Sequence, residues 1–304
     1  MAYFNVKSQN QTNKIFALDS WFSCNLYSFL FLFATFLLFI KIYLFFLECI
    51  KVLAEVGTLQ LEFCTLSKFT RNSTFCEKSL RIIDALEKTA KNGIYSTFIN
   101  YRSNIPHSFS TMGGLGDSFY EYLLKMWLMT DKKIERFQTL YQDAMEVVRN
   151  RMIGYSHPNN LLYFKNIYAD SSQETHTMEH LACFAGGMFG LGAREGASPS
   201  SDLEIAKNVT HSCRLMYDNQ PTKISPESVT FNNQPFSQED FYTSASYYIL
   251  RPETVESYFY LWRLTHDQKY RDWGENKNNY FIFTLLFWKK KIKKKRLASF
   301  CGNK

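Results

Sequence analysis

The sequence predicts an all-α protein built of helical hairpins, on three observations. Apolar residues recur at steps of three and four, loops carrying Gly, Pro, Asn and Ser separate those runs, and period-two alternation competes only weakly, at 228–231. Helices that each bury one stripe pack economically as an array of hairpins. In order, Val52, Val56, Leu59, Phe63 and Leu66 mark one helical face over 52–66, and similar patterns cover 75–86, 118–127, 134–148, 178–191, 203–216 and 253–264.

The chain has 304 residues, 46% of them apolar, with 13 Gly, 7 Pro and 7 Cys, which excludes disorder, collagen and a disulfide mini-scaffold. Its formal charge is +7, but Lys289, Lys290, Lys291, Lys293, Lys294, Lys295 and Arg296 supply all of it. The basic balance is therefore a property of the tail, and no nucleic-acid partner is expected. Residues 26–47 read LYSFLFLFATFLLFIKIYLFFL, interrupted only by Lys41, long enough for a transmembrane helix or signal anchor. Residues 275–304 are hydrophobic and polybasic and read as a membrane-surface or retention tail. Both ends are also rich in Phe, Leu, Ile, Tyr, Asn and Lys, the residues AT-rich non-coding DNA encodes, so a non-coding origin stays open beside the membrane reading.

No phosphate-cradling glycine loop, G-x-S-x-G elbow or H-E-x-x-H helix is present, and the six His are scattered. Acidic residues at predicted helix starts stand out instead. In GGLGDSFYEYLLKMW (113–127), Asp117 and Glu121 are four apart and share one face near a helix N-terminus; Ser118 and Glu121 also form a capping-box pattern. In ILRPETVESYFYLWRLTHD (249–267), Pro252 and Glu253 suit a helix start and bring Arg251, Glu253 and Glu256 to one end. A guanidinium beside two carboxylates orients an acid or grips a polar ligand, or is a structural ion pair. Cys183 and Cys213 fall on separate predicted helices and could form a disulfide. Carboxylates gathered at one end of an aromatic-rich helical array suit acid/base chemistry on a polyol, as glycoside hydrolysis requires.

At these residues the sequence resembles glycoside hydrolase family 47, the class I α-1,2-mannosidases. Four blocks carry the resemblance in order: LAEVGTLQLEF (53–63), GGLGDSFYEYLLKMWLMTDK (113–132), MEHLACFAGGMFGLGA (178–193) and YYILRPETVESYFYLWRLTHDQKYRDWG (247–274). Their wording is closest to the Golgi processing branch. The resemblance implies an (α/α)7 barrel and a calcium-dependent, inverting release of terminal α-1,2-linked mannose from high-mannose N-glycans. It implies a type II Golgi membrane protein with a lumenal domain, with the endoplasmic reticulum as the alternative. Residue by residue it makes Asp117, Glu227 and Glu253 catalytic, with Glu253 the general base and Glu227 the proton-donor candidate. It places Glu121, Leu181, Arg251 and Glu256 in the sugar pocket with His180 beside them, and pairs Cys183 with Cys213. Inversion needs the two carboxyls roughly 6.5–9.5 Å apart, leaving space for water.

The resemblance spans 52–274, flanked by non-homologous segments 1–51 and 275–304. The family's upstream glutamate and arginine, its later hairpins and the N-T-E-A-H-P block with the calcium-binding threonine have no counterpart, so the expected barrel is incomplete and no metal ligand is assigned. Expressed by itself, the chain is expected to release no mannose. The alternative to hydrolysis is a catalytically inactive fragment or splice form, or a membrane-anchored glycan-binding relative.

Overall fold

The computed structural model describes residues 50–90, 93–100, 109–168 and 172–275. The chain divides into two units, Met1–Ile50 and Lys51–Lys304. The predicted membrane segment 26–47 and the basic tail lie outside the described residues, among which no helix is long and apolar enough to cross a membrane.

The elements run β1 (Ile50–Val52), α1 (Leu53–Val56), α2 (Gln60–Thr70), α3 (Thr74–Glu87), β2 (Phe98–Asn100), β3 (Phe109–Ser110), α4 (Asp117–Met129) and α5 (Glu135–Val147). A π-helical turn over Val148–Met152 leads to β4 (Ile153–Tyr155), β5 (Leu162–Phe164), β6 (Asn166–Tyr168), β7 (Glu174–Thr175) and β8 (Thr177–Glu179). A 3-10 helix over His180–Phe184 precedes α6 (Ala185–Glu195), α7 (Asp202–Asp218), β9 (Ser228–Phe231), β10 (Phe241–Ala245), α8 (Glu253–Thr265) and α9 (Lys269–Glu275). Consecutive helices pack as hairpins, α2 on α3, α4 on α5, α6 on α7 and α8 on α9.

Helical hairpins are therefore present, but the all-α expectation is corrected by ten short strands among the described residues. Most are too short to show an alternation of their own. The predicted helix at 52–66 divides at Gly57, where a Cβ would collide with the Phe119 ring and approach the Leu53 carbonyl oxygen to 2.8 Å. The predicted helix at 178–191 begins as strand and 3-10 helix. Met178 pairs with Val229, Glu179 with Ser228, and the His180 N–H donates to the Glu227 carbonyl at 2.7 Å. Backbone pairing there outcompetes a helical period that the side chains alone would satisfy.

The core is continuous across the hairpins, with Leu53, Phe119, Leu123, Phe189, Cys213, Met216, Val229 and Leu261 buried. α6 brings its glycines to both neighbouring helices. A Cβ on Gly186 would overlap the Thr210 hydroxyl on α7 and lie 2.9 Å from Ser257 Oγ on α8; one on Gly187 would lie 2.7 Å from the Tyr260 ring. Ser257 Oγ completes the junction by donating to the Cys183 carbonyl at 2.5 Å and accepting from the Gly187 N–H at 2.8 Å. The Cys183–Cys213 disulfide is present, with Cα atoms 6.0 Å apart. Cys64 and Cys76 form a second one, joining α2 to α3.

Overpacking a buried contact costs about 1–3 kcal/mol. Gly186→Ala is therefore expected to lower the unfolding free energy by about 2 kcal/mol in urea titration. An unchanged midpoint would show that α6, α7 and α8 are less tightly apposed than described.

Candidate active site

Two helix starts and one strand end bring the predicted acids together. Asp117 is the first residue of α4, and its Oδ1 accepts from the Ser118 N–H at 2.7 Å and the Ser118 hydroxyl at 3.2 Å. The capping-box reading of Ser118 and Glu121 is thereby corrected. Gly116 is the N-cap and makes no side-chain cap, Ser118 lies inside the helix, and Glu121 instead pairs with Lys125 at 2.5 Å, one turn on. Glu253 is the first residue of α8, with Pro252 as the N-cap rather than inside the first turn. Its Oε2 is buried and makes no hydrogen bond. Glu227 precedes β9 and is held through its backbone, its N–H donating to the Ala245 carbonyl at 2.9 Å.

Arg251 ties these elements together. Its Nε lies 2.9 and 2.8 Å from the two oxygens of Glu227, and a terminal guanidinium nitrogen donates to Oε1 as well. The ion pair foreseen around Arg251 is thus made with Glu227 rather than with Glu253 or Glu256. Glu227 is only 6% exposed, so the fork neutralises an otherwise costly buried charge. The pairing raises the Arg251 pKa, with burial opposing and Glu227, Glu253 and Glu179 adding their fields.

The remaining carboxyls act on one another electrostatically. Burial pushes Asp117 up, the Ser118 hydrogen bonds and Arg251 oppose it, and Glu121 adds to it. Burial also raises Glu253; its own backbone N–H and Arg251 oppose, while Asp117 and Glu227 reinforce. Glu256 is pushed up to about 7 by burial and then by Glu121, with Lys125 opposing and Glu253 adding to it. Asp117 on α4 is thus coupled to Glu253 on α8 and Glu121 to Glu256, and burial is the largest cause of the raised values at Asp117, Glu253 and Glu256.

His180 is completely buried. Its Nε2 lies 3.0 Å from the Thr254 hydroxyl and 2.8 Å from the Tyr217 hydroxyl, and Nδ1 has no partner. Burial, then Arg251, pushes its pKa down to about 3, so the imidazole is neutral. It braces the residue next to Glu253 from behind. Leu181 is half-buried beside the glycine loop, where its Cδ1 would lie 3.3 Å from a Cβ on Gly114.

Three residues that support the site were missed in the sequence. Glu179 Oε2 accepts the Gly114 N–H at 2.6 Å, holding the loop that delivers Asp117; a Cβ on Gly113 or Gly114 would come within 2.8 or 2.9 Å of that oxygen. Tyr217 braces His180, and Lys125 neutralises part of the acid cluster. Lys125 alone had a signal, its four-residue spacing from Glu121. Both loops that deliver the acids also contain a non-glycine residue with left-handed backbone, Leu115 at φ 73° and Leu250 at φ 61°, a conformation that costs about 1 kcal/mol or more.

The glycosyl hydrolase family 47 model matches residues 47–284, which include every one of these side chains. The chain belongs to that family. It is 40% identical over 228 residues to the fruit-fly protein named mannosyl-oligosaccharide alpha-1,2-mannosidase IA, covering 74% of this chain and 34% of that one. It is 41% identical over 228 residues to human mannosyl-oligosaccharide 1,2-alpha-mannosidase IB, covering 74% and 35%. The chain thus spans about a third of the length of the curated relatives it matches. Its structure resembles that of an α-1,2-mannosidase from Trichoderma reesei with a TM-score of 0.68 at 25% identity, over 74% of this chain and 50% of the other.

Two outcomes follow from this family 47 site. Removing one partner of a buried ion pair strands the other, so Arg251→Met is expected to destabilise the fold by about 3 kcal/mol in chemical denaturation, and a loss no larger than a surface substitution would break the pairing argument. For Glu256, the unfolded carboxyl releases its proton near 4.5 and the folded one near 7, so stability falls as pH rises between them. Glu256→Gln is expected to gain about 1 kcal/mol at about pH 8 and nothing at about pH 4; equal effects at both would sink the assignment.

Proposed function

We propose that this site acts on terminal α-1,2-linked mannose of high-mannose N-glycans, hydrolysing the glycosidic bond with inversion, in the lumen of the Golgi. The observation that carries the reading is the coupled set of acids, Asp117 with Glu253 and Glu121 with Glu256, with burial raising the pKa values of Asp117, Glu253 and Glu256. Glycoside hydrolysis needs one protonated carboxyl and one carboxylate on opposite sides of the scissile bond. The relatives' names supply the substrate. Part of an (α/α)7 barrel is the architecture this reading takes, supported by the four consecutive hairpins and the likeness to the Trichoderma enzyme. A type II membrane anchor over 26–47 completes the topology of this reading.

Within the reading, Glu253 is the base. Its buried Oε2 makes no hydrogen bond within the protein, and on this reading it takes a proton from a water admitted with the substrate, which then attacks the anomeric carbon. Asp117 is the better proton donor for the leaving oxygen. Glu227, the donor suggested by the sequence, is engaged as a carboxylate by the Arg251 fork, and so serves as the anchor that keeps Arg251 beside the acids. Glu121, Glu256 and Leu181 face the sugar, and His180 positions Thr254 behind Glu253.

Calcium is what the family leads one to expect. Among the described residues no group of three or more His, Cys, Asp or Glu is placed to hold a metal, and no step here passes through one.

A second reading, glycan binding without turnover, is favoured by the exposure of Tyr247, Ile249, Leu250 and Phe259 on and beside the loop that carries Arg251. Incubation with a high-mannose N-glycan separates the two. Hydrolysis is supported by free mannose that appears first as the β anomer and falls about 10²–10⁴-fold in Asp117→Asn and in Glu253→Gln. Calorimetric binding of the glycan with no mannose released would establish the second reading and end the first.

A further inference from the structure

The sequence contains three Asn-x-Thr sequons, 10–12, 72–74 and 208–210, which by number alone carry no information. The first lies outside the described residues, and the fold separates the other two. We propose that Asn72 is an N-glycosylation acceptor and that Asn208 is not. The inference goes beyond the hydrolase reading and does not depend on turnover.

All four cysteines among the described residues are paired, Cys64 with Cys76 and Cys183 with Cys213. Disulfides persist in oxidising compartments, where N-glycans are also added. Asn72, Ser73 and Thr74 are all exposed and form the tip of the α2–α3 hairpin. α2 stops at Arg71, whose φ of 56° turns the chain, and α3 starts at Thr74. At the tip the Thr74 N–H donates to Asn72 Oδ1 at 3.0 Å, an Asx turn that leaves the amide nitrogen Nδ2 out of the bond. Below it the Cys64–Cys76 bridge and a bond from the Cys76 N–H to Ser67 Oγ, 2.8 Å, close the base of the hairpin. A bulky, hydrated glycan at this tip displaces nothing.

Asn208 is also exposed, but its tripeptide lies inside α7. The Thr210 hydroxyl, which an acceptor sequon must present, is completely buried, donates to the Ala206 carbonyl at 2.7 Å and packs on Gly186. Presenting it would require that α7 be melted and its contact with α6 broken. Acceptor geometry at 208–210 competes with folding, and at 72–74 it does not.

The co-substrate is an oligosaccharide linked to a polyprenyl diphosphate. Asn72 Nδ2 attacks the sugar C1, the new N–C1 bond forms as the C1–O bond to phosphate breaks, the amide loses one proton, and the polyprenyl diphosphate leaves with the electron pair. No oxidant or reductant is needed.

The test expresses the full chain behind a cleavable secretion leader in insect cells and analyses the whole lumenal pool, retained and secreted. An amidase that removes N-glycans leaves aspartate at each formerly linked asparagine. The expected result is a mobility shift that the amidase reverses, with aspartate at position 72. The shift should be lost in Asn72→Gln and in Thr74→Ala, and kept in Thr74→Ser and Asn208→Gln. Unmodified Asn72 in the lumenal pool, or a shift that survives Asn72→Gln and disappears in Asn208→Gln, would overturn it. Mannose release measured on the same preparations reports on the hydrolase reading separately, since a glycosylated but inactive chain leaves the Asn72 assignment intact.

Discussion

The close approach of α6 to α8 is the constraint on which the site depends. It exists because Gly186, Gly187 and Gly190 present backbone where other residues present a Cβ, and because Ser257 is small enough to enter the gap. Its single hydroxyl bonds to one carbonyl and one N–H at the start of α6. One turn of α8 before Ser257 lies Glu253, and the residue just before it is Glu256. The depth at which these acids sit is therefore set by a contact that contains no acid. The Cys183–Cys213 bridge and Thr210 hold α7 against the other side of the same glycines, so the three helices share one junction.

Gathering carboxyls at such a place has a cost that the surroundings only partly offset. Arg251 neutralises Glu227 and lowers the field at Asp117 and Glu253; Lys125 does so for Glu121 and Glu256. What remains shows as raised pKa values, an unbonded Glu253 oxygen and left-handed leucines in both loops that deliver the acids. Sites that do acid/base work tolerate such strain when rigid packing behind them supplies the stability. Here that packing is the buried His180, Tyr217 and Thr254 group and the glycine junction beside it.

Much of the helical framework was legible because amphipathic periods of 3.6 residues are long and redundant. The runs at 75–86, 134–148, 203–216 and 253–264 correspond to α3, α5, α7 and α8. The failures share a cause. At 52–66 and 178–191 the apolar spacing fits a helix, but Phe119 occupying the space at Gly57, and β9 pairing with Met178 and Glu179, are partners remote in the chain. Glu179 was passed over for the same reason: its role is a bond to Gly114, sixty-five residues away.

By itself the sequence determined the family and the Cys183–Cys213 pair, and it singled out the acids Asp117, Glu227 and Glu253, since these rest on residue identity and order. Tertiary structure decided which partners those acids take. Arg251 could have paired with Glu253 or Glu256 on its own helix start, but it pairs with Glu227, and burial pushes Glu256 up to about 7. The reason is physical. Proton affinity depends on burial and on charges brought near by packing, and neither quantity is encoded in spacing along one chain.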